Sequence, residues 1–242
     1  MLILEKLTIG VGDRFAHQAK AQLQAFQLAA AQGISAVPVW NKSNREHTFI
    51  GSQPQSVFDA AQAAVKSLGW TGGWHVDADH IRMETVDKFI PCSDFFTIDV
   101  ADSIGKTPEE RYVERFLALR RHYGDRITIM CGSDDQAADY FFWGVRSWLA
   151  GTANVLPAHH VAIINAANAG NVEAARKGFE AILPWVQHME EGQYNQKVKL
   201  GLLMQGIDLG PVRQPLLGLS AEADAALRAA LTPALNAPLA QA

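Results

Sequence analysis

"WHVDADHI", residues 74–81, decides how this chain folds. Val76 and Ala78 alternate with His75, Asp77 and Asp79, the period of two that belongs to a strand with one apolar and one polar face. Ionisable groups are costly to bury unless they are paired or hold a metal. A strand that carries four such groups therefore points to a site. Upstream stand "SAVPVW" (35–40), a strand pattern, and "QSVFDAAQAAVKSLG" (55–69), a helical pattern stopped by Gly69. Strand, helix and strand at this spacing make a βαβ unit with parallel pairing.

The same alternation extends in both directions. "KLTIGVG" (6–12) sets Leu7, Ile9 and Val11 against Thr8, Gly10 and Gly12, and the helical stretch 17–33 ends at Gly33. In "FFTIDVA" (95–101), Phe96, Ile98 and Val100 oppose Thr97, Asp99 and Ala101. A helix over 108–124 starts at Pro108 and stops at Gly124, the expected punctuation. "RITIMC" (126–131) and "SWLAGTANV" (147–155) read as two more strands, and helices follow at 157–169, 171–190, 193–205 and 220–233. The class is α/β: a (β/α) TIM-type barrel with a C-terminal helical extension. We count six strands where a closed barrel has eight, so the barrel is incomplete or two strands escape this reading. One domain over 1–242 is expected, with 1–115 as its first half, 116–155 as the last barrel strands and 156–242 as C-terminal helices.

Composition narrows the class of function. The 242 residues are 48% hydrophobic and 19% charged, with a net charge of −4 and no basic tract, which argues against nucleic acid as a partner. "MLILEKLTIG" lacks the long apolar run of a signal peptide, and no stretch is apolar enough to span a bilayer. A cytoplasmic protein without membrane partners is expected. Cys92 and Cys131 are far apart in sequence and expected as reduced thiols.

Small and polar strand residues face the inside of a curved sheet, and ligands bind at the carboxyl ends of parallel strands. Asp77, Asp79 and His80 stand at such an end, a donor set suited to a divalent cation of unspecified identity. "WNKSNREH" (40–47) places Asn41, Lys42, Arg45 and His47 in one polar loop at the same end. Arg and Lys there can hold a substrate carboxylate, and Asn can read hydroxyls. In "GVGDRF" (10–15) there is no third glycine for a dinucleotide loop, so Gly10 and Gly12 admit a ligand or a neighbouring strand. Arg14 pairs with Asp13 or binds an acid group. Ser133 or Asp134 in "CGSDD" (131–135) caps a helix or meets a substrate, and the aromatic cluster at 140–148 belongs to the core.

These motifs carry two resemblances. Residues 7 to about 115 resemble the tagaturonate epimerase family through "IGVGDRFAHQAKAQL", "PVWNKSNREH", "VDADHI", "TVDKFI" and "DFFTIDVADSIG". That family inverts C4 of a ketouronate with a metal. The resemblance implies a metal at Asp77, Asp79 and His80, a sugar-acid grip from Lys42, Arg45 and His47, and a small-molecule sugar acid as substrate. By type and position His47 and Asp99 are the acid–base candidates. From about 116 to 235, "FLALRRHYGDRITIMCGSDD", "GVRSWLAGTANVLP" and "KVKLGLLMQGIDLGPVRQPLLGLS" resemble the dihydrodipicolinate synthase and N-acetylneuraminate lyase family. Its chemistry runs through a Schiff base between a strand lysine and a 2-keto acid. Its GTTGE-like loop, tyrosine strand and IKE lysine strand are missing here. If "TIDVAD" takes the place of the lysine strand, Asp99 stands where the lysine would be, and Lys106 follows beyond the strand end.

The leading expectation is thus a metal-dependent ketouronate epimerase. A 2-keto-acid aldolase or lyase, or a fusion without catalytic activity, is the alternative. Open sheet edges would favour a homo-oligomer.

Overall fold

The computed structural model describes residues 5–98 and 111–241. The chain divides into two compact units, Met1–Pro108 and Glu109–Ala242. The first holds a parallel sheet of four strands, β1 (Thr8–Val11), β2 (Val37–Ser43), β3 (His75–Ile81) and β4 (Phe95–Ile98), ordered β1-β2-β3-β4. Its helices are α1 (Ala19–Ala31), α2 (Asn44–Ile50) and α3 (Gln55–Leu68).

Helices α1 and α3 cover one face of that sheet. Leu23 and Phe26 of α1 and Val57, Ala61 and Ala64 of α3 share a buried cluster with Trp40 and Val76. The spacings of three and four residues set each helix's apolar residues on one side. Trp40 pairs with Val76 in the β2–β3 register, so both point towards the helices, and the Trp40 indole donates to Gln22 Oε1 at 3.0 Å. Each fully buried side chain such as Leu23 contributes about 1.5–3 kcal/mol. Gly69, in the left-handed region at φ 60°, ends α3 where expected. Asn41 pairs with Asp77 and therefore lies on the opposite face.

The alternation holds in β3 up to Asp79 and then breaks. The β3–β4 register shifts between Ala78 and Ile81, and His80 has a φ of 52°. A left-handed conformation costs a residue with a Cβ roughly 1–2 kcal/mol, so the strand end is strained at its histidine.

The second unit is helical: α4 (Arg111–Tyr123), α5 (Ala137–Phe142), α6 (Pro157–Asn168), α7 (Val172–Glu190), α8 (Tyr194–Leu203) and α9 (Ala221–Leu235). Ile163, Ile182, Trp185, Val186, Leu227 and Leu231 anchor its core. Phe141 and Val145 are buried as expected of the aromatic cluster, whereas Phe142 is 74% exposed. The two strands expected at 126–131 and 147–155 are corrected. Among the described residues they meet only in an isolated parallel bridge between Cys131 and Trp148, and Thr152–Asn154 forms a 3₁₀ turn. The reason is local: the Thr152 N–H donates to the buried Asp134 carboxylate, not to a neighbouring strand. No helix among the described residues is long and apolar enough to cross a membrane. Both cysteines are buried free thiols.

Candidate functional site

The stretch 40–47, expected as one polar loop, is the end of β2 followed at once by α2. Ser43 Oγ accepts the Glu46 N–H at 3.1 Å, and Glu46 Oε2 accepts the Ser43 N–H at 3.1 Å. This capping box starts a helix directly after the strand. Gly51, left-handed at φ 70°, ends α2, and the Ser52 N–H donates to His47 O at 3.0 Å. The turn brings Ser52 back over the strand end.

Three groups converge there. Lys42 shares the helix-facing side of β2 with Trp40, and its Nζ donates to Ser52 Oγ at 2.9 Å. His47 Nδ1 lies 2.8 Å from the same oxygen. Lys42 and His47 are each 2% exposed, and Ser52 is half-buried. Phe89 packs edge-on to His47, with ring centroids 5.7 Å apart. Burial pushes the Lys42 amine below its usual range against the opposing pull of Glu46 and Asp13. Burial, then the charges of Lys42 and Lys88, hold His47 down to about 4, so its imidazole is neutral at pH 7. An ammonium only donates; Ser52 Oγ therefore accepts from Lys42 and can give its own hydrogen to Nδ1.

The other face carries the expected acids. Asp77 accepts the Thr97 hydroxyl at 3.0 and 3.1 Å, and burial raises its carboxyl to about 6. Burial also raises Asp79, whose Oδ1 is 3.7 Å from His80 Nε2. His75 lies between Glu5 at 2.8 Å and Asp94 at 3.3 Å, a structural bridge at the start of β3. A metal at Asp77, Asp79 and His80 finds a poor fit. Among the described residues no three His, Cys, Asp or Glu side chains gather closely enough to hold an ion, and Asp77 directs both oxygens to Thr97. Asp99 and Lys106 lie outside the described residues.

The remaining candidates are dispersed. Arg14 is exposed and reaches Glu46 at 3.4 Å, while Asp13 accepts the N–H groups of Phe15, His17 and Gln18. Arg45 is exposed on α2. A Cβ on Gly12 would fall 2.1 Å from Asn41 Oδ1 and 2.4 Å from Asn41 O. Gly12 thus serves the approach of a neighbouring strand. The structure brings Lys42 and His47 together and sets both on the opposite face from Asn41 and Asp77. Ser52 escapes a reading by motif; its signal is the Ser-x-x-Glu box at 43–46, which implies a helix long enough to return the chain.

In the second unit, buried Asp134 accepts the Trp148 indole at 3.0 Å and, at 2.9 Å, the N–H of Thr152, the first residue of the 3₁₀ turn. Thr152 Oγ1 meets His160 Nε2 at 2.8 Å, and His160 Nδ1 donates to Leu156 O at 2.8 Å. Burial lowers His160, which keeps it neutral within this network.

Comparison with known proteins places the two halves. The Dihydrodipicolinate synthetase family matches residues 79–234, and tagaturonate epimerase matches residues 2–134. A 4-hydroxy-tetrahydrodipicolinate synthase of Exiguobacterium sp. is 33% identical over 113 residues, 47% of this chain and 39% of that protein. The synthase of Psychrobacter sp. is 30% identical over 198 residues, 80% of this chain and 61% of its own length. The chain spans less than two thirds of the length of these curated relatives. Dihydrodipicolinate synthase from Bacillus clausii superposes with a TM-score of 0.65 at 17% identity, over 90% of this chain and 79% of that one. The Agrobacterium tumefaciens enzyme gives 0.61 at 17%, over 94% and 74%. The fold is that of these TIM-type barrels, although the four-stranded sheet of the first unit does not close on itself. The expectation of a metal-dependent ketouronate epimerase is overturned, because the matching relatives are named as synthases of the dihydrodipicolinate type. By its residues 79–234 the chain belongs to the dihydrodipicolinate synthetase family, and by its residues 2–134 it also matches the tagaturonate epimerase family.

Proposed function

We propose that this protein is a 2-keto-acid lyase or aldolase that forms a Schiff base through Lys42. One observation carries the reading: a lysine near the carboxyl end of a parallel strand, buried, with its amine pushed down and held against a hydroxyl. An amine attacks a carbonyl only when deprotonated, and burial lowers the barrier to that state. Lysines of this kind serve as Schiff-base residues. The charge of Lys88 beside His47 favours an anionic substrate such as a 2-keto acid.

The chemistry is that of the family, but the lysine sits elsewhere. Lys42 attacks the keto carbon, a C–N bond forms, and the carbonyl oxygen leaves as water. The resulting iminium draws electrons from the adjacent carbon and permits C–C bond cleavage or formation there. Borohydride reduction with pyruvate tests this directly. A mass increment on the peptide containing Lys42, absent in Lys42→Met, is the expected result, and its absence in the wild type ends the reading. A second reading, a fold that has kept no catalysis, has the near-complete burial of Lys42 in its favour, and the same measurement decides between them.

A further inference from the structure

The Lys42 reading leaves a proton unaccounted for. The lysine rests as an ammonium, must lose a proton to attack, and the carbinolamine hydroxyl must gain one to leave as water. Both transfers need a group within hydrogen-bond reach of Nζ. Ser52 Oγ is at 2.9 Å from it and at 2.8 Å from His47 Nδ1. Among the described residues Lys42 Nζ makes no other side-chain hydrogen bond.

We infer that Ser52 is a catalytic proton relay, carrying a proton from Lys42 Nζ to His47 Nδ1 and returning it when water departs. The inference rests on the Schiff-base reading of Lys42. Ser52 Oγ accepts the proton from Nζ while its own hydrogen passes to Nδ1, so the hydroxyl is unchanged and the charge moves to the imidazole. The free amine attacks the keto carbon, the C–N bond forms, and a nitrogen proton moves to the former carbonyl oxygen. His47 then returns its proton through Ser52 to that hydroxyl, the C–O bond breaks, and water leaves the iminium. No oxidant or co-reactant is needed, and the proton that left the lysine departs with the water.

The surroundings suit a relay of this direction. The groups facing His47 are Lys42 from β2, Lys88 and Phe89 from the segment after β3, and Glu46 from α2 itself. Once Lys42 has given up its proton, burial and the charge of Lys88 still disfavour an imidazolium there against the pull of Glu46, so the borrowed proton is readily returned. Ser52 is half-buried while both its partners are buried, so it is the most exposed member of the trio. The short turn after Gly51 fixes the hydroxyl, because the Ser52 N–H is tied to His47 O at 3.0 Å.

The test is the initial rate of borohydride-trapped adduct on Lys42 with pyruvate as probe, in the wild type, Ser52→Ala and Ser52→Thr. A loss of about 100-fold in Ser52→Ala is expected for a proton-transfer group, with recovery in Ser52→Thr, which restores a hydroxyl. A wild-type rate in Ser52→Ala overturns the relay and leaves the Lys42 reading standing. No adduct in the wild type overturns both, so the two failures are distinct. If Ser52→Ala does not fold, the wild-type rate in D₂O decides: slowing supports the relay, and an unchanged rate overturns it.

Discussion

Asp134 Oδ2 accepts the backbone N–H of Thr152 at 2.9 Å while Oδ1 accepts the Trp148 indole at 3.0 Å. One carboxylate thus satisfies two donors from the segment where a last strand was expected. Asp134→Ala leaves both donors without a partner in a buried setting, and each such group costs about 1–3 kcal/mol. Urea denaturation of Asp134→Ala should show a loss of about 3 kcal/mol or more, and Asp134→Asn a smaller one, since an amide oxygen still accepts one of the two.

Lys42 gives a prediction of the opposite sign. Replacing a buried charge by an apolar side chain of similar length is often neutral or stabilising. In Lys42→Met, Ser52 and His47 still bond each other, so no polar group is left alone. The variant should unfold within about 1 kcal/mol of the wild type or above it, while forming no pyruvate adduct. A large loss of stability would show that the ammonium is structural.

The pH dependence of folding follows from His47. Its folded value, about 4, lies below the unfolded value of 6.5. Between these the unfolded chain binds more protons, so stability is complete above about pH 6.5 and falls as the pH drops towards 4. The slope reaches at most about 1.4 kcal/mol per pH unit. His47→Gln should flatten it in denaturation curves taken from pH 4.5 to 7.5.

Asp77 acts in the reverse sense. Its folded value of about 6 stands above the ordinary carboxyl value of 3.8, so the folded chain holds the extra proton between them and stability declines as the pH rises through that window. Asp77→Asn retains an acceptor for Thr97 and removes the buried charge. It should be more stable than the wild type at pH 8 by up to about 3 kcal/mol, and nearly equal at pH 4.

The scattered acids bear on metal binding. Addition of Mg²⁺, Mn²⁺ or Zn²⁺ should leave the melting temperature unchanged, because among the described residues no three donors converge. A rise on addition, abolished in Asp79→Asn, would instead restore a cation to the end of β3.

Strands β1 to β4 are legible in sequence because each alternates and each stands against a helical pattern with a glycine stop. "RITIMC" and "SWLAGTANV" alternate too, but alternation cannot say whether a partner is present, and Asp134 takes the backbone group that a ladder would need. The polar run at 40–47 was harder. Its parity, with Trp40 and Lys42 against Asn41 and Ser43, already sets Lys42 on the helix-facing side, yet a dense polar motif suggests a single loop. Lys42 and His47 are recognisable as chemical groups. Their meeting at Ser52 depends on the length of α2 and on the left-handed turn at Gly51, which no motif encodes. The resemblances reach the family and not the reaction.

The order of the sheet has a consequence for synthesis. Thr8 pairs with Val37, Val39 with His75 and Asp77 with Phe95, so every strand adds beside the one made just before it. Nothing emerging later must be threaded between strands already in place. The first unit can therefore assemble in the sequence in which the ribosome releases it, β1 and β2 docking while β3 is still in the exit tunnel.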